Sequence, residues 1–188
     1  MQRSAWFLLL VLMMALATAR ANDIDASASK ITVRVYKSGL FSAFAHDHTI
    51  SAPIASGQLD VEKRSVELKF RTENMQVLDP GAKDSERATI ESTMKSDKVL
   101  DVVKFPEISF SSNQVETSGA DHFLVHGSLT LHGVTKPIDL SVTFSDGHYR
   151  GSVRLKQTDF GITPVKIAGG AVRVKDEIEI VFEIVPSK

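Results

Sequence analysis

The sequence predicts an all-β domain, an antiparallel sandwich or barrel with one short helix. Three observations carry this. Apolar and polar side chains alternate along most of the chain, as they do when successive residues point to opposite faces of a strand. Turn signals built on Gly, Asp and Pro separate the alternating runs at short intervals, giving about eight or nine strands. Only one segment repeats with a helical period. Most strands have one apolar and one polar or charged face, which fits one interior enclosed by a closed or doubled sheet.

The first strand spans Lys30 to Tyr36, with Ile31, Val33 and Val35 on one face and Thr32, Arg34 and Tyr36 on the other. Leu40 to Ile50 is richer in small residues and contains Phe44-Ala45-His46-Asp47-His48; Pro53 interrupts it, and Gly57 to Val61 resumes an extended pattern. Ser65 to Glu73 alternates Val66, Leu68 and Phe70 with Glu67, Lys69 and Arg71, and Asp79-Pro80-Gly81 reads as a turn. From Asp84 the period lengthens. Ala88, Glu91 and Met94, with Arg87 and Ile90 beside them, suit a helix of about three turns with Asp84 or Ser85 as N-cap.

Glu107 to Val115 is again a strand, and Gly119-Ala120-Asp121 turns the chain into Phe123–Leu131. Gly127 to Phe144 then reads as a hairpin. Leu129 and Leu131 share one face before the turn, and Ile138, Leu140, Val142 and Phe144 share one after it. Gly133 permits the twist there, and Pro137 belongs at a strand's start or edge. Ser145-Asp146-Gly147-His148 is a two-residue hairpin turn. Tyr149 to Lys156 and Glu177 to Ile184 complete the strands, with Asp159-Phe160-Gly161-Ile162 and Gly169-Gly170 bracketing a loop.

Residues 1–21 pose a separate problem. Arg3 precedes the apolar run Trp6–Ala17, and Ala19-Arg20-Ala21 has the small-x-small form of a cleavage site. The run is short for a membrane span, so it reads as a cleaved secretory signal, leaving one domain over residues 22–188. Its loss, with Arg3 and Arg20, takes the formal charge from −1 to −3. Neither value marks a nucleic-acid surface. The chain has no Cys, hence no disulfide framework and no lipoprotein anchor. An exported, periplasmic protein held together by core packing is the expectation.

Four stretches resemble the YceI family in their order along the chain. They are Gly57-Gln58-Leu59-Asp60-Val61, Leu100 to Phe110, Gly127 to Pro137 with Leu-Thr-Leu-His-Gly-Val-Thr-Lys-Pro, and Thr158-Asp159-Phe160-Gly161-Ile162. The segment around His46-Asp47-His48 departs from the family's pattern and marks a distinct branch. The resemblance implies a lipocalin-like, eight-stranded antiparallel barrel with a helical segment near one end. It also implies an exported, non-enzymatic protein whose apolar interior holds a long isoprenoid chain, a polyprenyl phosphate or a quinone, without a cofactor. Transient contact with a membrane and a homodimer are both compatible with handing on such a lipid.

The inward residues expected to meet that tail are Val35, Leu68, Phe70, Phe110, Leu131, Val142, Phe144 and Phe182, each of which serves equally as ordinary core. Phe44, His46 and His48 are placed at one mouth, where the imidazoles would meet the head. His46 and His48 leave the same face of a strand about 7 Å apart, so the alternative is a metal-binding or redox module built on them. Nucleophilic catalysis has no support: Cys, Gly-x-Ser-x-Gly and His-Glu-x-x-His are all missing. Asp139 and Asp159 are solitary carboxylates. Lys95, Lys98 and Lys104 could meet a pyrophosphate head but read more simply as a solvated face.

Overall fold

The computed structural model describes residues 22–38, 47–167 and 171–187. The segment read as an export signal, together with Phe44, His46 and Gly169-Gly170, lies outside the described residues. Twelve strand segments form a single antiparallel sheet. In chain order they are β1 Asn22–Asp23, β2 Lys30–Ser38, β3 His48–Ser51, β4 Ile54–Asp60, β5 Ser65–Arg71 and β6 Gln76–Val77. Helix α1, Asp84–Lys95, follows; then come β7 Glu107–Gly119, β8 His122–Leu131, β9 Val134–Ser145, β10 His148–Lys156, β11 Lys166–Ile167 and β12 Val172–Ile184.

The sheet closes on itself because β3 and β4 are two halves of one bent stretch. β3 pairs with β2, as in Val33 opposite Ile50, while β4 pairs with β5, as in Gly57 opposite Leu68. Between them Ala52 still donates its N–H to Ile31 O at 3.0 Å. Pro53 brings no donor of its own, so the ladder changes partner there. With β3–β4 counted as one wall, the sheet curls through β2, β3–β4, β5, β7, β8, β9, β10 and β12 and back to β2: the lipocalin-like antiparallel architecture holds, while the expected eight strands become twelve segments, because Pro53 divides one strand and three two-residue strands join the sheet. β1, β6 and β11 are two residues each, too short for alternation to reveal.

The barrel has two unlike ends. The helix end carries α1, the segment 96–106, the β8–β9 turn and a 3₁₀ turn, Gln157–Phe160. The turn end carries the β4–β5, β7–β8 and β9–β10 connections. The β8–β9 and β9–β10 turns have positive φ at their two central residues: His132 (51°) and Gly133 (75°), Asp146 (53°) and Gly147 (79°). That is the turn whose twist matches paired strands.

Two local expectations need correction. The N-cap of α1 is Lys83, with no side-chain cap bond; Asp84 is already helical and pairs instead with Arg87 one turn on. Asp84 and Glu86 in the first turn still favour the positive end of the helix dipole. Pro137 is not at a strand start but within β9, opposite Ser128. It fits because β9 pairs with β10 only over Ser141–Ser145, so at Pro137 the second flank of the strand has no ladder to break.

Candidate functional site

Inside the barrel runs a cavity of about 630 Å³. Its walls follow from the pairing register, since residues opposite each other on antiparallel strands share a face. Ile178 faces Val35, Ile180 faces Val33 and Phe182 faces Ile31, so β12 and β2 present one continuous apolar strip. Phe110 faces Leu68 on one side and Leu129 on the other.

Two aromatic rings lie against glycine, which keeps the lumen open. A Cβ at Gly127 would come within 2.4 Å of the Phe110 ring, and one at Gly151 within 2.5 Å of Phe182. The missing side chains leave room for each ring to lie along the wall instead of projecting across the interior. Filling such an interior with an apolar ligand is worth about 25 cal/mol per Å² removed from water.

Of the residues expected to face inward, Val35, Leu68, Phe70 and Phe110 line this cavity, as do Leu131, Val142 and Phe182. Phe144 does not. It shares their face of β9 but lies beyond Val142 at the turn end, where its ring packs on Tyr149 at 4.6 Å between centroids. Tyr149 does reach the cavity, and burial pushes its phenol above the ordinary range. At the same end Asp60 and Arg64 border the opening. The backbone N–H of Lys63, then its ammonium at 3.0 Å, hold the Asp60 carboxyl below the usual carboxylate range.

His48 also lines the cavity, opposite Val35 across the β2–β3 pair. Its ring is held from behind. Nδ1 lies 2.6 Å from Asp79 Oδ2, and Asp79 Oδ1 accepts the Thr49 N–H at 2.7 Å. Asp79 is buried, 4 % exposed. Sequence reading saw Asp79 only as part of a turn. The contact depends on β3 pairing with β6, Ile50 opposite Val77, which continues two residues further to bring Asp79 beside His48. Asp47, by contrast, points away from this arrangement and accepts the Lys37 N–H at 2.9 Å.

The other polar candidates stay outside. Lys95 is paired with Glu91 at 2.7 Å, and Lys104 Nζ sits 5.1 Å over the Phe105 ring. Asp139 holds His126 at 2.7 Å on the outer surface. Among the described residues no three His, Asp or Glu side chains come together in a group that could hold a metal ion.

Three of the four motif stretches converge on one place, which sequence reading did not anticipate. Phe105 stacks on His132 with ring centroids 4.2 Å apart, and His132 Nδ1 donates to Phe160 O at 3.3 Å. Thr72 locks the same knot, its hydroxyl donating to Phe105 O at 3.0 Å and its N–H to Pro106 O at 3.1 Å. Phe160 and Thr72 are the most completely buried side chains, at 2 % and 1 % exposure. The knot braces the helix end; neither Phe105, His132 nor Phe160 touches the cavity.

Comparison with known proteins agrees with this architecture. The family model of the YceI-like domain matches residues 23–185. A UPF0312 protein of Pseudomonas syringae pv. tomato is 40% identical over 105 residues, covering 50% of this chain and 53% of that protein. A UPF0312 protein of Azotobacter vinelandii is 37% identical over 89 residues, covering 42% and 46%. The chain thus spans about half the length of the curated relatives it matches. Among solved structures, Burkholderia cenocepacia BcnA superposes with a TM-score of 0.62 at 18% identity, over 86% of this chain and 98% of that one. The Campylobacter jejuni YceI protein superposes with a TM-score of 0.51 at 18% identity, over 74% and 81%. At such identity the structures establish the shared fold.

Proposed function

The chain belongs to the YceI-like family, and on that premise we propose that it is a periplasmic, non-enzymatic carrier of an isoprenoid lipid, a polyprenyl phosphate or a prenylated quinone. The observation that carries the proposal is the cavity of about 630 Å³, lined almost throughout by Val, Ile, Leu and Phe and kept open by Phe110 and Phe182 lying over glycine. A polyprene offers little but apolar surface and many rotatable bonds. A long, enclosed, apolar lumen compensates the cost of ordering it by removing most of that surface from water.

The wall holds few polar groups, and they lie towards its ends, so it suits a lipid with a small polar head and an undiscriminated tail. Among the described residues His48 is the one imidazole on the wall, and its hydrogen-bond partner is the Asp79 carboxylate, with no serine or threonine hydroxyl bonded to it as a nucleophile would be. Export to the periplasm rests on the signal-like segment 1–21.

The test is mass spectrometry of an organic extract of protein purified gently from an envelope fraction. The expected result is a prenyl lipid at close to one per chain. A lipid-free protein that also fails to take up a polyprenol added in vitro would overturn the proposal.

A further inference from the structure

We propose that the His48–Asp79 pair selects a head group bearing a hydroxyl, which narrows the lipids of the carrier reading to those that bring an O–H: the reduced, quinol form of a prenylated quinone or a polyprenyl phosphate in its singly ionised form. The inference rests on the carrier reading above and concerns the chemistry of the head.

Asp79 as a carboxylate offers only acceptors, and both of its oxygens are used. Oδ1 takes the Thr49 N–H at 2.7 Å and Oδ2 lies 2.6 Å from His48 Nδ1. In the neutral imidazole the proton must therefore sit on Nδ1, because a hydrogen bond to a carboxylate requires a donor. Nε2 is then a lone pair. His48 stands on the cavity wall with Nδ1 turned to Asp79, so Nε2 is the nitrogen left for a ligand. A lone pair there receives an O–H. A quinone carbonyl or a fully ionised phosphate, each an acceptor towards it, has nothing to offer.

Among the described residues, each other polar side chain on the wall at this end has a partner of its own. Thr89 and Thr93 on α1 border the cavity, but their hydroxyls donate to Ser85 O at 2.8 Å and Thr89 O at 3.0 Å. Gln157 gives one amide N–H to Lys175 O at 2.8 Å. In apolar surroundings an unmatched polar pair costs more than a matched one returns, so a head placed against His48 Nε2 is favoured when it brings an O–H.

Asp79 acts as a positioning residue, and that can be read out. In Asp79→Asn the remaining carbonyl oxygen keeps the Thr49 N–H, and the amide NH₂ faces Nδ1 as a donor. The ring proton moves to Nε2, turning the acceptor into a donor.

The experiment compares geranylgeraniol with its O-methyl ether, which differ only in the hydroxyl proton, by displacement of a fluorescent polyene from the full mature chain at pH 8. Wild-type protein should bind the alcohol about tenfold more tightly than the ether. Asp79→Asn should bring that ratio to one or below with affinity for the ether retained. Equal binding of alcohol and ether by the wild type would overturn the inference while leaving the carrier reading intact, as would a ratio unchanged in Asp79→Asn. Binding of neither compound would overturn both. If the variant fails to fold, the wild-type ratio still decides.

Discussion

The two ends of the barrel use the same hairpin turn for opposite purposes. At the turn end Gly147 has open space around it; at the helix end a Cβ on Gly133 would stand 2.6 Å from the Phe105 ring. The backbone angles are nearly the same, with φ of 79° and 75°. What differs is the surroundings: the helix-end turn is part of the knot of Phe105, His132, Phe160 and Thr72, and the turn-end hairpin touches little. His132 can hold its positive φ because histidine is among the side chains that tolerate that region. The comparison teaches that a motif strong enough to identify a family can belong to the brace of a barrel and not to its binding wall.

The contrast predicts a graded set of stability losses. Phe160→Ala should cost about 3–5 kcal/mol, because the ring is fully buried and its loss leaves a cavity in the knot. Chemical denaturation would measure it, and a loss below about 1 kcal/mol would mean the helix end is not braced as described. Next, Gly133→Ala should exceed Gly147→Ala by about 1–3 kcal/mol, since both pay similar backbone strain and only the first collides with a ring. Equal losses would erase the distinction between the ends.

The smallest effect belongs to the turn end. His148 at 2.6 Å, then Arg150, hold the Glu183 carboxyl below its ordinary 4.5. The folded state therefore keeps Glu183 ionised to lower pH than the unfolded chain does, so this contribution is present above about 4.5 and fades as pH falls through the lower folded value. Glu183→Gln should lower the melting temperature slightly at pH 7 and not at all at pH 2. The pair is half-buried and still reached by solvent, so salt should shrink the difference further.

Much of this barrel was legible because a half-buried strand writes its two faces directly into the sequence. Lys30–Tyr36 and the β8–β9 hairpin needed only alternation, as did Ser65–Glu73, whose strand stops at Arg71 where a 3₁₀ turn begins, and Asp146-Gly147 needed only turn chemistry. What alternation does not carry is longitudinal position. It placed Phe144 on the inward face of β9 correctly but could not say that its ring packs on Tyr149, its register partner, and leaves the wall to that residue. Nor could it find Asp79, 31 residues from His48 and joined to it through a two-residue strand. Buried carboxylates of this kind become visible only when register is known. The helix cap failed for a local reason: Asp84 had two uses at a helix start, cap or first-turn partner, and Arg87 three residues later decided for the second.

The seam between β2 and β12 joins residues as far apart as Lys30 and Glu183, 153 positions along the chain. Strands so distant must meet before the ring exists, and bringing them together is the costliest loop the chain has to close. Folding of such a topology is slow, on the order of milliseconds to seconds, and the lumen exists only once this seam has closed. A cargo present at that moment has two routes inward, enclosure as the final strand docks or entry through a finished end, and the rate of the first is the rate at which the barrel itself is made.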